Sequence, residues 1–226
     1  VQRFLSILLP VQNCQDILGH LVREQLEVLP EVVDHFEMII VDDASRDATI
    51  EVADMLSIEF PQVFAYRHAQ PRGRREQLRT ALRRSTGEHL LIQDPHYSLP
   101  SQRFHDFVPL IESHEIVLAT PDSIAIGQNG AWQRIDHAPS SEGVILFQRQ
   151  LLPEIDDVLT DLEALRSRLG DQELRWHELR FHARQFSPSW REKLSASTSM
   201  NRDTAVPSPK SAQVVSSQTT DAEAAW

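Results

Sequence analysis

Five short apolar runs punctuate the first half of the chain: "FLSILLPV" (4–11), "FEMIIVDD" (36–43), "VFAYRH" (63–68), "HLLIQD" (89–94) and "EIVLAT" (115–120). Each is apolar almost without interruption, the pattern of strands covered on both faces. Between them Leu18, Leu21, Leu26 and Leu29 recur at near-helical spacing, as do Ile50, Ala53 and Leu56, and then Leu78, Ala81 and Leu82. Strand and helix alternating at this interval predict an α/β fold, a mostly parallel central sheet with helices on both faces. Such a sheet takes ligands outside the carboxyl ends of its strands. That rule puts 10–13, 42–47 and 94–96 on one rim.

The chain of 226 residues is long enough for one substantial domain, expected over 1–186. From 187 to 226 Ser, Thr, Ala and Pro leave little to bury, and a disordered tail is expected. A formal net charge of -11 argues against a broad nucleic-acid surface, so any basic site must be local. The single Cys14 cannot form an internal disulfide and reads as a buried structural thiol in a reducing, cytoplasmic setting. No apolar stretch approaches the roughly 20 residues that span a bilayer. "VQRFLSILLP" is broken too early by Pro10 to read as a signal peptide.

The most informative rim segment is "IIVDDASRDAT". Asp42 and Asp43 leave a buried strand, Ser45 makes the turn, and Asp47 sits where it can accept N–H groups of a starting helix. This turn resembles the "VDDgSxDxT" turn of family 2 glycosyltransferases, inverting enzymes of the GT-A fold. "LSILLPVQNCQD" resembles the family's opening segment, "QPRGRREQLRTALRRSTGEHLLIQD" follows its "NxGkgaAlnxGlxxAxGeyixxxD" frame, and "YSLPSQRF" matches the segment after its D-x-D motif. Four segments in the right order cover residues 3–104.

The resemblance implies a nucleotide-diphosphate sugar as ligand. It implies Asp43 on the nucleotide's base edge, Pro10 at the pocket wall and Asp94 near the ribose and a divalent metal, Mn²⁺ or Mg²⁺. His96 departs from the pattern: the family has a second metal-ligating carboxylate there. Losing a full charge about 4 Å from a cation forfeits on the order of 4 kcal/mol at an effective dielectric near 20. Three readings stay open. His96 ligates a softer metal with Asp94, or it touches the diphosphate itself, or metal binding has been lost.

Between Arg67 and Arg84 the chain concentrates arginine. Arg72 to Arg75 precede a helix start and could meet a diphosphate, whereas Arg79, Arg83 and Arg84 read as a solvated face. The family has small residues around Gly73, where this chain has the bulk of Arg74 and Arg75.

After 121 a long loop over the rim is expected, then a strand and helix from "VILFQRQLL" to Gly170, and an edge strand at "LRWHELRFHARQF". "SSEGVILFQRQLL" distantly resembles a segment of the family's polyprenyl-phosphate branch, with Gly143 and Arg149 in place. Glu142 is the candidate catalytic base, unless the acceptor is itself a phosphate anion. "RQFSPSW" from Arg184 only echoes that branch's closing signature. "HELRFH" is not a zinc-protease motif, because His177 and His182 are five apart.

Two functions follow. One is sugar transfer from a nucleotide-diphosphate sugar to a polyprenyl phosphate or another hydroxyl acceptor. The other is an inactive binding or regulatory module on the same scaffold. A dinucleotide oxidoreductase is set aside, since no G-x-G-x-x-G follows the first strand.

Overall fold

The structure is a computed structural model that describes residues 4–128, 131–135, 143–171 and 174–185. Glu142 and the expected tail lie outside the described residues.

Eight strands form one sheet: β1 (Phe4–Val11), β2 (His35–Asp42), β3 (Val63–Arg67), β4 (His89–Ile92), β5 (Ile116–Gln128), β6 (Ala131–Ile135), β7 (Val144–Gln148) and β8 (Trp176–Gln185). Their order is β3-β2-β1-β4-β7-β5-β6, with β8 pairing β5. The β1, β2, β3 and β4 block is parallel, as is β5 with β8; β7 runs antiparallel to both β4 and β5.

The apolar runs are continuous because each strand feeds two cores. Ile7, Leu9, Met38, Ile40 and Leu91 face a cluster built with α1 (Gln15–Val32), α2 (Thr49–Glu59) and the short α4 (Phe104–Phe107). Their sequence neighbours Leu8, Ile39, Val41, Leu90 and Ile92 face the other cluster. That one is built with α3 (Arg74–Arg84), α5 (Leu152–Ile155) and α6 (Leu162–Asp171). Leu78 and Ala81 of α3, and Leu165 and Leu169 of α6, are the side chains that close it. Alternation along a strand thus becomes burial on both sides.

One expectation fails. In place of a long loop after 121, β5 runs on to Gln128 and pairs antiparallel with β6. Ile124 and Ile126 alternate with small or polar residues, and Asn129-Gly130 is a two-residue hairpin signal that the surrounding Gly and Pro obscured. Pro121 is tolerated because the β5–β8 register shifts between Pro121 and Ser123. The edge-strand reading of "LRWHELRFHARQF" holds as β8, where Phe181 is buried at 4% exposure.

The amino end of the sheet is tied by Glu37. Its carboxylate accepts from Ser6 Oγ at 2.7 Å, Thr86 N at 2.5 Å and Thr86 Oγ1 at 3.0 Å. Gly87 N donates to Ser6 Oγ at 2.8 Å, and Arg149 Nε donates to the Gly87 carbonyl at 2.6 Å. Arg149 therefore works at the end of the sheet opposite the rim. A Cβ on Gly87 would lie 2.7 Å from Ser6 N and 2.8 Å from the Phe4 carbonyl, both backbone atoms. Gly87→Ala is expected to cost about 1–3 kcal/mol, the usual penalty of overpacking a site with no room to relax. Urea denaturation of the variant against the parent chain measures it.

Candidate functional site

The parallel block brings three strand ends to one rim. Val11 of β1 pairs with Asp42 of β2, and the register Leu8 to Ile92 carries Pro10 to the level of Asp94. Pro10 is buried within β1, opposite Val41. The backbone that leaves these strands bends sharply. Asn13 and Ala44 take φ of 51° and 53°, and Gly73 takes 83°. Left-handed backbone at a non-glycine residue costs on the order of 1 kcal/mol, and the two such residues among those described, Asn13 and Ala44, line the same rim as Gly73.

The turns are locked to one another. Asn13 N donates to Ser45 Oγ at 2.9 Å, Arg46 N to Asn13 Oδ1 at 2.8 Å, and Gln12 Nε2 to the Asp43 carbonyl at 2.9 Å. Asp42, fully buried, accepts from Ser45 N and Ser45 Oγ, with Arg67 Nε 3.8 Å away. Asp47 accepts from Thr49 N at 3.1 Å and from Gln15 N at 3.2 Å, so it joins the starts of α1 and α2. Gln77, reaching back from α3, donates from Nε2 to the Val11 and Val41 carbonyls, both at 2.9 Å.

Asp43 draws its donors from the 68–73 segment. Arg72 N and His68 Nδ1 each lie 2.8 Å from its Oδ1, and Gly73 N donates to Oδ2 at 2.7 Å. Burial pushes this carboxyl upward, but the Arg72 N–H, the His68 ring and the Gly73 N–H together outweigh it and hold it below the usual range. An ionised carboxylate offers about four lone-pair sites, so one remains for a further donor.

Asp94 lies on the next strand end but one. Its Oδ1 accepts the His96 N–H at 2.8 Å, and its Oδ2 is 3.0 Å from the Arg74 guanidinium. His96 belongs to a one-turn 3₁₀ helix, Pro95–Tyr97, and is 6% exposed, packed inside rather than presented on the rim. Among the described residues no three His, Cys, Asp or Glu side chains gather to hold a metal ion. Arg72 contributes its backbone to Asp43 while its side chain is exposed. Arg83 and Arg84 are exposed as expected, with Arg84 stacked 4.9 Å from the Tyr66 ring.

Three participants escaped the sequence reading: His68, Gln77 and the pairing of Arg74 with Asp94. Each depends on which strands are neighbours, and β3 beside β2 or β4 beside β1 cannot be counted off from spacing. A cavity of about 690 Å³ opens on the other side of Pro95, lined by Ile17, Leu21, Ser98, Leu99 and Phe181 among others. None of Asp43, Arg74 or Asp94 reaches it.

A family model described as glycosyl transferase family 2 matches residues 6–176. Among curated proteins, undecaprenyl-phosphate 4-deoxy-4-formamido-L-arabinose transferase of Pseudomonas syringae is 28% identical over 181 residues, covering 78% of this chain and 51% of its own. Glycosyltransferase AglD of Haloferax volcanii is 28% identical over 128 residues, covering 54% of this chain and 20% of its own. The chain thus spans about half of one relative and a fifth of the other. Among solved structures, mannosyltransferase PcManGT from Pyrobaculum calidifontis, in complex with GDP-Man and Mn²⁺, superposes with a TM-score of 0.57 at 18% identity. That match covers 92% of this chain and 66% of the other, and it establishes the GT-A fold.

Two outcomes are expected from the rim's chemistry. Because the folded pKa of Asp43 is lowered, its contribution is complete above the unfolded value of about 3.9, declines below it, and is gone once pH falls through the folded value. Asp43→Asn should therefore cost about 2 kcal/mol or more at pH 7, and its deficit should shrink as pH falls below 4; urea titrations at pH 7 and pH 3 test this. Cys14, 3% exposed, is pushed up to about 12 by burial first and by the Asp94 charge next, against a hydrogen bond from Thr49. Native protein at pH 8 should react with iodoacetamide on the order of a hundredfold or more slowly than the urea-unfolded chain, as read by mass spectrometry.

Proposed function

Since the chain belongs to glycosyl transferase family 2, we propose that its rim binds a nucleotide-diphosphate sugar and that the protein transfers the sugar with inversion. The observation that carries this reading is the convergence of Pro10, Asp43 and Asp94 at adjacent carboxyl ends of the parallel strands. Asp43 keeps one lone pair for a donor on the base edge of uracil or guanine, while its other three contacts hold the 68–73 segment in place. Pro10 forms the wall beneath the nucleotide. Asp94 sits where the sugar-bearing diphosphate begins, and Arg72 supplies exposed positive charge in an otherwise acidic chain.

A polyprenyl phosphate is the acceptor that best fits the relative from Pseudomonas syringae. Its anionic oxygen attacks the anomeric carbon as the nucleoside diphosphate leaves, and no protein base is then required. With a neutral hydroxyl acceptor, Glu142 would take the proton. No helix among the described residues is long and apolar enough to cross a membrane. The lipid's phosphate would be met at a membrane surface, and a cytoplasmic setting is the one that the buried free Cys14 suits.

The buried His96 favours a second reading, a module that binds the nucleotide sugar and does not transfer it. Titration calorimetry separates these from the absence of any site: UDP or GDP should bind with a Kd between about 1 μM and 1 mM, the span of ordinary substrate affinities. If neither nucleotide binds, both readings are wrong. If one binds, labelled sugar appearing in undecaprenyl phosphate distinguishes the transferase from the module.

A further inference from the structure

Two departures from the family's pattern meet in space. Arg74 brings bulk to a stretch where the family has small residues, and His96 removes the second acid of the D-x-D motif. The remaining acid joins them. Asp94 gives Oδ1 to the His96 N–H and Oδ2 to the guanidinium of Arg74, at 2.8 and 3.0 Å.

The residues present do not fit a divalent-metal clamp. A metal at Asp94 would have to share its carboxylate with a guanidinium already at one oxygen and a backbone N–H at the other, the first repelling it charge against charge. The position of the next ligand holds an imidazole, neutral when it ligates and so without the charge that would offset the guanidinium's repulsion of a metal. No other His, Cys, Asp or Glu among the described residues completes a set of three there.

We propose that Arg74 is the resident cation of this site, so that the nucleotide diphosphate is bound without a metal. This deepens the reading of the rim as a nucleotide-sugar site and rests on it. A guanidinium presents five N–H donors in a planar fork, and the pairing with Asp94 uses one of them. The fork matches two phosphate oxygens at once. Arg74's side chain is 31% exposed, within reach of a ligand, while Asp94 at 15% is the deeper partner that fixes its direction. As the first residue of α3, Arg74 is also set by the neighbouring Gly73 N–H that Asp43 holds. The same N–H groups then meet the charge that grows on the departing diphosphate.

The arrangement has an electrostatic signature. A divalent ion with one carboxylate carries a net positive charge, whereas Arg74 with Asp94 carries none. Affinity therefore leans on the fork's hydrogen bonds and on the exposed charges of Arg72 and Arg75, and those exposed charges are screened by salt.

The test titrates UDP and GDP calorimetrically into the full chain, in EDTA and in Mn²⁺, for the parent, Arg74→Ala and Arg74→Lys, with melting curves to establish folding. The parent's Kd should agree within about twofold between the two buffers. Arg74→Ala should weaken binding about tenfold to a hundredfold in both, the worth of hydrogen bonds to a charged group, and Arg74→Lys should fall between. Parent binding that appears only with Mn²⁺ overturns the inference and leaves the nucleotide site intact. Parent-like affinity in Arg74→Ala, or in Arg74→Lys together with Mn²⁺ dependence should the alanine variant not fold, overturns it as well. A folded parent that binds neither nucleotide in either buffer overturns the underlying reading, and the inference with it.

Discussion

A buried carboxylate at the end of β2 organises the rim. Asp43 follows a strand whose centre, Met38 to Val41, is apolar and fully buried, and its charge is tolerable there only because donors from a distant segment converge on it. Those donors belong to 68–73, the connection between β3 and α3. Holding them fixes where α3 begins, and so where Arg74 stands and where Gln77 can reach across to the ends of β1 and β2. Without Asp43 the connection would expose its N–H groups to solvent, and the helix start would lose its anchor.

The other acids of the rim are likewise engaged by donors. Asp42 and Asp47 spend their oxygens on the hydroxyls and N–H groups of the 45–49 turn and on the start of α1. Asp94 spends one oxygen on its own turn and one on Arg74. In a chain of net charge -11 this matters, because unpaired carboxylates at the rim would repel an anionic ligand. The backbone contributes strain in return: Asn13 and Ala44 take positive φ where the turns interlock, a conformation that Gly73 adopts freely. Ala44 occupies a position the related turns give to glycine, and its neighbours Asp43 and Ser45 are both held firmly enough to keep it there.

The sheet was legible because a strand buried on two faces reads as a near-continuous apolar run, as "FLSILLPV" does with Ser6 its one polar residue and as "LLI" does within "HLLIQD". The rim was legible because strand ends of a parallel sheet are a fixed place for ligands. What escaped was pairing. His68 lies in a stretch crowded with arginines, yet the β2–β3 register sets Asp42 against Arg67 and so puts Asp43 and His68, the residues that follow the two strands, side by side. The β5–β6 hairpin was hidden for a different reason. Its apolar positions are few, and Gly and Pro on either side signal loop more strongly than Ile124 and Ile126 signal strand. Gly143 was noted as part of a motif without a cause. The cause is steric, since a Cβ there would lie 2.6 Å from the Ala119 carbonyl of β5.

Arg74 and a metal ion solve the same electrostatic problem with different consequences. A divalent ion is exchangeable, so its charge enters with the ligand and can leave with it. A guanidinium is tethered, and its charge belongs to the apo site at all times, balanced there by Asp94. Binding a diphosphate then means sharing a cation that already has a partner. The carboxylate takes one N–H of the fork and leaves the others for the phosphates. The missing carboxylate at His96 follows from the same logic. A second acid beside Asp94 would compete with the diphosphate for that fork, whereas a buried imidazole leaves the fork with a single anionic partner.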